Sequence, residues 1–119
     1  MKKTLVVGAS EKPERYAYKA SVMLAEYHHE VYPFGLKAGS IQGKSIETIW
    51  PEGETFDTVT LYVGPQNQDT YIPKILALKP KRVVFNPGTE NPDFEQKLEE
   101  AGIEALEACT LVMLRTGQY

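Results

Sequence analysis

The sequence predicts an α/β fold whose core is a mostly parallel sheet of five or six strands. Three observations carry this expectation. The run Leu5-Val6-Val7 is apolar without alternation and breaks at Gly8, the pattern of a strand buried on both faces. Strand-like runs then alternate with helical patterns to the end of the chain. Each strand-like run is followed by small, Gly-bearing or Pro-bearing residues: Gly8-Ala9-Ser10, Pro33-Phe34-Gly35, Val63-Gly64-Pro65, Asn86-Pro87-Gly88 and Ala108-Cys109-Thr110. Parallel strands joined by right-handed helical crossovers give a three-layer, Rossmann-like domain.

Taken in order, the first strand is Thr4–Gly8. A helix over Tyr16–His28 follows, with Tyr16, Ala17, Ala20, Met23, Leu24 and Tyr27 on one apolar face. Pro13 is either its first-turn proline or part of the preceding loop. Glu30–Pro33 is a short second strand closed by Phe34-Gly35, and Ile41–Ile46 is at most a weak edge strand. Thr58–Val63 is β-branched and aromatic, as a strand should be. The next helix runs to about Leu78 and starts near Asp69–Thr70, because Pro73 has to lie in its first turn. Arg82–Phe85 is a strand. Asn91 is an N-cap with Pro92 at the first helical position, Phe94, Leu98 and Ala101 form the buried stripe, and Gly102 ends that helix. Ile103–Leu106 is the last strand, and Cys109–Leu114 a short closing segment.

The chain has 119 residues, 42% of them hydrophobic and 24% charged. That length and balance suit one soluble globular domain over residues 1–119 rather than a disordered or fibrous chain. A net charge of −3 opposes a general nucleic-acid or membrane-surface binder, so an anionic ligand has to be held by local groups. Cys109 is the single cysteine, which excludes an internal disulfide and suits a reducing compartment. The apolar run after Met1-Lys2-Lys3 is too short for a signal peptide or membrane span, so the cytoplasm is the expected location.

In parallel sheets of this kind ligands lie beyond the carboxyl ends of the strands, where the small and Pro-rich segments gather. Gly8 is expected to let main-chain N–H groups approach an anion, with the positive end of the following helix aimed at the same place. The G-x-G-x-x-G fingerprint is absent, and so is a phosphate-binding loop ending in Gly-Lys-Ser/Thr with its upstream glycine. A carboxylate that would grip ribose hydroxyls is missing after the second strand, where Pro33-Phe34-Gly35-Leu36-Lys37 stands; Glu30 is at the wrong end. Lysine without that carboxylate suits a phosphorylated ribose, as in NADP or coenzyme A. Lys12 and Lys37 are the candidates for phosphate contact, or else ordinary surface charges. Arg15 is a further candidate partner for a phosphate.

The blocks Val7-Gly8-Ala9-Ser10 with Lys12-Pro13, Val31-Tyr32-Pro33-Phe34-Gly35, Tyr62-Val63-Gly64-Pro65 and Phe85-Asn86-Pro87-Gly88 resemble the small stand-alone CoA-binding domain proteins. That family is similar to the nucleotide-binding domain opening the succinyl-CoA synthetase α subunit. The resemblance covers almost the whole chain and implies binding of coenzyme A or an acyl-CoA. It implies Gly8, Ser10 and Lys12 at the phosphates, and Pro33, Phe34 and Lys37 around the adenosine. It likewise implies Val63, Pro65 and Gln68 along the pantetheine, with Asn86, Pro87 and Cys109 further on. The synthetase's phosphorylated histidine belongs to a second domain without counterpart here, so catalysis is not implied. An NADP-binding enzyme, or a nucleotide-binding subunit of a larger one, is the alternative.

His28 and His29 are neighbours at a helix end, where cations are ordinary, and their side chains diverge. No Cys/His/Asp cluster has metal-ligand spacing. Cys109 is either a small buried hydrophobe or a thiol able to meet that of coenzyme A. The Glu95, Glu99 and Glu100 group reads as a solvated helix face, and Tyr16 as a core residue.

Overall fold

A computed structural model describes residues 1–119. Five parallel strands form the central sheet: β1 (Thr4–Val7), β2 (Val31–Phe34), β5 (Thr58–Leu61), β6 (Arg82–Phe85) and β7 (Glu104–Glu107). Their spatial order is β2-β1-β5-β6-β7. The chain leaves β1 toward β2 and later returns to the other side of β1 with β5. The order of winding therefore reverses between β1 and β5, and this opens a crevice at the carboxyl ends of those strands.

The helices are α1 (Tyr16–Glu26), α2 (Ile72–Leu78), α3 (Pro92–Glu100) and α4 (Thr110–Arg115). Ile75 of α2 and Phe94 and Leu98 of α3 pack on the face formed by Leu5, Val7, Val59, Leu61, Val83 and Phe85. Ala17 and Leu24 of α1 and Leu114 of α4 cover Val6 on the other face. The Rossmann-like three-layer arrangement with a five-stranded sheet is thus as the sequence predicts.

Helix boundaries follow local chemistry. Asn91 caps α3, its Oδ1 accepting from the Phe94 amide at 3.2 Å, with Pro92 beginning the helix. Ala101, expected on the buried stripe, lies exposed just past the last turn. Helix α1 stops at Glu26, short of His28, which takes a left-handed φ of 68°. The His29 amide then reaches back to the Leu24 carbonyl and that of His28 to Ala25, each at 3.0 Å, satisfying the last turn. The expected closing segment is α4, preceded by Cys109.

The segment after β2 is not one weak edge strand. It is an antiparallel hairpin of β3 (Gly39–Ile41) and β4 (Lys44–Ile46), outside the main sheet. Gln42 and Gly43 turn it with φ of 49° and 84°, the double left-handed geometry of the tightest hairpins. The Glu47 amide donates to the Pro33 carbonyl at 2.9 Å, and the Glu47 carbonyl accepts from Gly35 at 3.0 Å, fastening the hairpin beside β2.

One face of the sheet is unexpectedly polar. Thr4, Thr58 and Arg82 stand in one register row across β1, β5 and β6. Arg82 Nε donates to Thr58 Oγ1 at 2.8 Å, and its guanidinium lies 4.4 Å from the Tyr119 ring centre. The Tyr119 hydroxyl shares a 2.6 Å hydrogen bond with Thr4 Oγ1, and its ring meets His29 edge-on. His29 Nδ1 accepts from the Lys2 amide at 2.9 Å. No helix is long and apolar enough to cross a membrane.

His29 is therefore not a helix-end cation: burial, then the positive amino terminus, Lys2 and Arg82, hold its pKa below the ordinary value. The unfolded chain then binds a proton first, so stability is complete above about pH 6.5 and declines as pH falls beneath it. Thermal unfolding between pH 7.5 and 5.5 should show this decline, and His29→Asn should flatten it; an unchanged slope would refute the assignment.

Candidate functional site

The floor of the crevice is set by backbone atoms. The amides of Gly8 and Ala9 both donate to the Phe34 carbonyl, at 3.0 and 2.9 Å, so one oxygen ties the end of β1 to the end of β2. Gly8 takes a φ of 97°, and a Cβ there would stand 3.0 Å from both the Tyr62 carbonyl oxygen and Val63 Cγ2. A Cβ on Gly35 would stand 2.5 Å from the Ala9 carbonyl oxygen. Both glycines are thus required by close approach of neighbouring backbones. The Gly8 amide is itself engaged with Phe34, so main-chain donors free to meet an anion have to come from elsewhere in the loop.

Free donors lie one step further on. The first main-chain bond of α1 runs from the Lys19 amide to the Arg15 carbonyl, and Arg15 gives no side-chain cap. The amides of Tyr16, Ala17 and Tyr18 consequently point out of the helix start without partners. Ser10 is turned to its own loop, Oγ accepting from the Lys12 amide at 3.1 Å.

Above this floor is a cavity of about 940 Å³. Gly8–Lys12, Arg15–Ala17, Gly35–Ala38, Tyr62–Gly64 and Pro87–Thr89 line it, with Ile46, Asn67, Thr70 and Tyr71. The cationic side chains of Lys12, Arg15 and Lys37 and the single carboxylate of Glu11 share this lining. An unpartnered helix start with cations beside it is an arrangement for an extended anion. No group of three or more His, Cys, Asp or Glu could hold a metal ion.

Of the residues singled out from sequence, Gly8, Ser10, Lys12, Arg15, Lys37, Val63 and Pro87 come together in this lining. The others do not. Pro33 borders a separate groove of about 280 Å³ between α1 and the hairpin. Phe34 is buried, edge-on to Trp50 and Tyr71. Pro65 is exposed at the start of a single 3-10 turn, Pro65–Asn67, outside the cavity. Cys109 is half-buried before α4 and also outside the lining.

Gln68 and Asn86 are fully buried straps behind the wall. Gln68 Nε2 donates to the carbonyls of Val63 at 2.9 Å and Thr89 at 2.8 Å, while Oε1 accepts from Asn91. It thereby joins the loops that follow β5 and β6. Asn86 Nδ2 donates to Thr60 Oγ1 at 2.6 Å and the Leu61 carbonyl at 2.8 Å, and Oδ1 accepts from the Thr110 amide at 2.9 Å. Only the positions of these amides after strands were visible in sequence, and that signal does not separate a ligand contact from a strap.

Sequence reasoning missed Glu11, Leu36, Tyr62, Asn67, Thr70, Tyr71 and Thr89 as lining residues. Tyr16 was expected in the core but is 66% exposed, at the cavity rim. Tyr62 carries a buried hydroxyl with no hydrogen bond of ordinary length, although Thr60 and Thr110 stand near it; burial raises its pKa far above the phenol range.

The family described as CoA binding domain matches residues 2–115 of the chain. No curated protein matches significantly. Among solved structures, an uncharacterized protein is 52% identical with a TM-score of 0.97, the match covering 100% of this chain and 98% of that one. A Thermus thermophilus protein, cell-free ID.343, is 27% identical with a TM-score of 0.83, over 99% of this chain and 91% of that one. The dinucleotide-forming acetyl-coenzyme A synthetase 1 of Ca. Korarchaeum cryptofilum, in complex with phosphate and ADP, shares the fold at 19% identity and a TM-score of 0.70. That match covers 89% of this chain and 25% of the enzyme.

Removing the Asn86 strap leaves buried donors and acceptors unpaired. Asn86→Ala should lower stability by roughly 2–4 kcal/mol in denaturant unfolding, and an unchanged midpoint would show that the strap is dispensable.

Proposed function

The chain belongs to the CoA binding domain family, and we propose that it binds coenzyme A or an acyl-coenzyme A in the crevice between β1 and β5, as a cytoplasmic binding protein without a reaction of its own. The observation that carries this reading is the uncapped start of α1, which faces a cavity carrying Lys12, Arg15 and Lys37. A pyrophosphate at the first turn of α1 meets three free amides and the positive end of the helix dipole. Lys12 and Lys37 suit a further phosphate on the ribose, and Arg15 can grip oxygens bidentately. The pantetheine arm then runs past Val63 and Pro87, the small residues after β5 and β6.

In this reading Gly8 shapes the corner by letting β1 and β5 close up, and it does not itself donate. Pro33, Phe34, Pro65, Gln68, Asn86 and Cys109 act on the walls or outside them. The cavity of about 940 Å³ has room for a nucleotide-sized ligand.

Thermal shift with coenzyme A, dephospho-coenzyme A, NADP and NAD tests this. Coenzyme A at about 100 times its dissociation constant should add roughly 2.7 kcal/mol of stability and exceed the other three. Trp50 is the only tryptophan and stacks on Tyr71 of the lining at 5.7 Å, so its fluorescence should report the same binding. Equal binding of dephospho-coenzyme A would remove the phosphate role of Lys12 and Lys37, and no response to any of the four would end the reading.

A further inference from the structure

We propose that Glu11 reads the ribose of the bound nucleotide: its carboxylate accepts the 2′-hydroxyl and excludes a 2′-phosphate, leaving a phosphate at the 3′ position to Lys12 and Lys37. The proposal rests on the nucleotide-binding reading given above.

Parallel α/β sites that hold a free 2′-hydroxyl do so with a carboxylate at the end of the second strand. The chain has none there, since β2 ends in Phe34 and continues Gly35-Leu36-Lys37. The fold brings a carboxylate to that side from the other direction. Glu11 leaves the loop after β1 and reaches across to β3, where one carboxylate oxygen, Oε2, accepts from the Ser40 amide at 3.4 Å.

Gly39 is shaped around it. A Cβ on Gly39 would lie 2.5 Å from Glu11 Oε2, 2.9 Å from Cδ and 3.3 Å from the Glu11 Cβ. Gly39 does not have a left-handed φ, so its backbone places no demand for glycine. The missing side chain makes room for the Glu11 carboxylate, which therefore has a seat even though the residue is exposed.

Glu11 forms no ion pair, although Lys12 and Lys37 line the same cavity. Its second oxygen accepts no hydrogen bond from the protein and is available to a hydroxyl donor. A 2′-phosphate placed there would set two like charges against each other, whereas a hydroxyl gains a charge-assisted hydrogen bond. The carboxylate thus separates a 3′-phosphorylated adenosine from its 2′ isomer in a cavity whose other charges attract both.

The test uses two isomers that differ only in this respect, adenosine 3′,5′-bisphosphate and adenosine 2′,5′-bisphosphate, titrated calorimetrically into the wild-type chain, Glu11→Gln and Gly39→Ala. The wild type should prefer the 3′,5′ isomer by about tenfold. Glu11→Gln should bring the ratio toward one, chiefly by gaining affinity for the 2′,5′ isomer. Gly39→Ala, which unseats the carboxylate, should reduce the ratio without changing any charge. Equal affinity of the wild type for both isomers, or an undiminished ratio in Glu11→Gln, overturns the role of Glu11 while leaving nucleotide binding intact. Failure of both isomers and of coenzyme A to bind the wild type overturns the binding reading itself, and this proposal with it.

Discussion

A single carbonyl oxygen organises the crevice at the carboxyl ends of the strands. By accepting from Gly8 and Ala9 together, Phe34 draws β1 and β2 to a common end point. The turn that follows brings the Ala9 carbonyl against Gly35, and Gly8 meets the backbone of Tyr62 from the other side. Three chain segments are thus packed at main-chain distance, and each contact forbids a side chain. The cavity exists above this junction because the first loop, having spent its leading amides on β2, lifts away and enters α1 with its next donors free.

The walls are held by a different kind of bond. Gln68 and Asn86 each satisfy three partners, and they link loops and helices that apolar packing alone would leave free to slide. Directional bonds between buried groups fix register more sharply than hydrophobic contact does. The same logic runs along the polar sheet face, where Thr60 and Thr110 share a 2.8 Å bond beneath α4. One side of the sheet is held by shape, through Phe85, Phe94 and their neighbours, and the other by a smaller apolar cluster around Val6 and Leu24 together with these hydroxyl bonds.

Much of the fold was legible because strand and helix periodicities are local. Leu5-Val6-Val7, the Thr58 strand and the Asn91-Pro92 helix start all announce themselves by residue type. The hairpin was obscured because Gln42 is a rare choice for a left-handed turn position and only Ile41 and Ile46 are buried in it. The site was half legible. Residues following strands could be gathered at one end, but sequence does not show which amides face inward. Gln68 and Asn86 went to the wall for that reason, while Tyr71 and Glu11 entered the lining from positions to which the sequence attached no role. That the Gly8 amide is taken up by Phe34 could not be read from sequence, since hydrogen-bond partners depend on where β2 arrives.

Between β2 and β5, where such folds ordinarily carry a crossover helix, this chain has its small hairpin beside β2, with Glu47 supplying the main-chain bonds to the end of that strand. Its tip at Gly43 touches nothing that an added side chain would disturb. Lengthening or recolouring that tip would leave all five strand registers as they are. The tip, whose Gln42 and Lys44 border the smaller groove against α1, can therefore change its length and chemistry independently of the scaffold, a modularity that spares the centre any refolding.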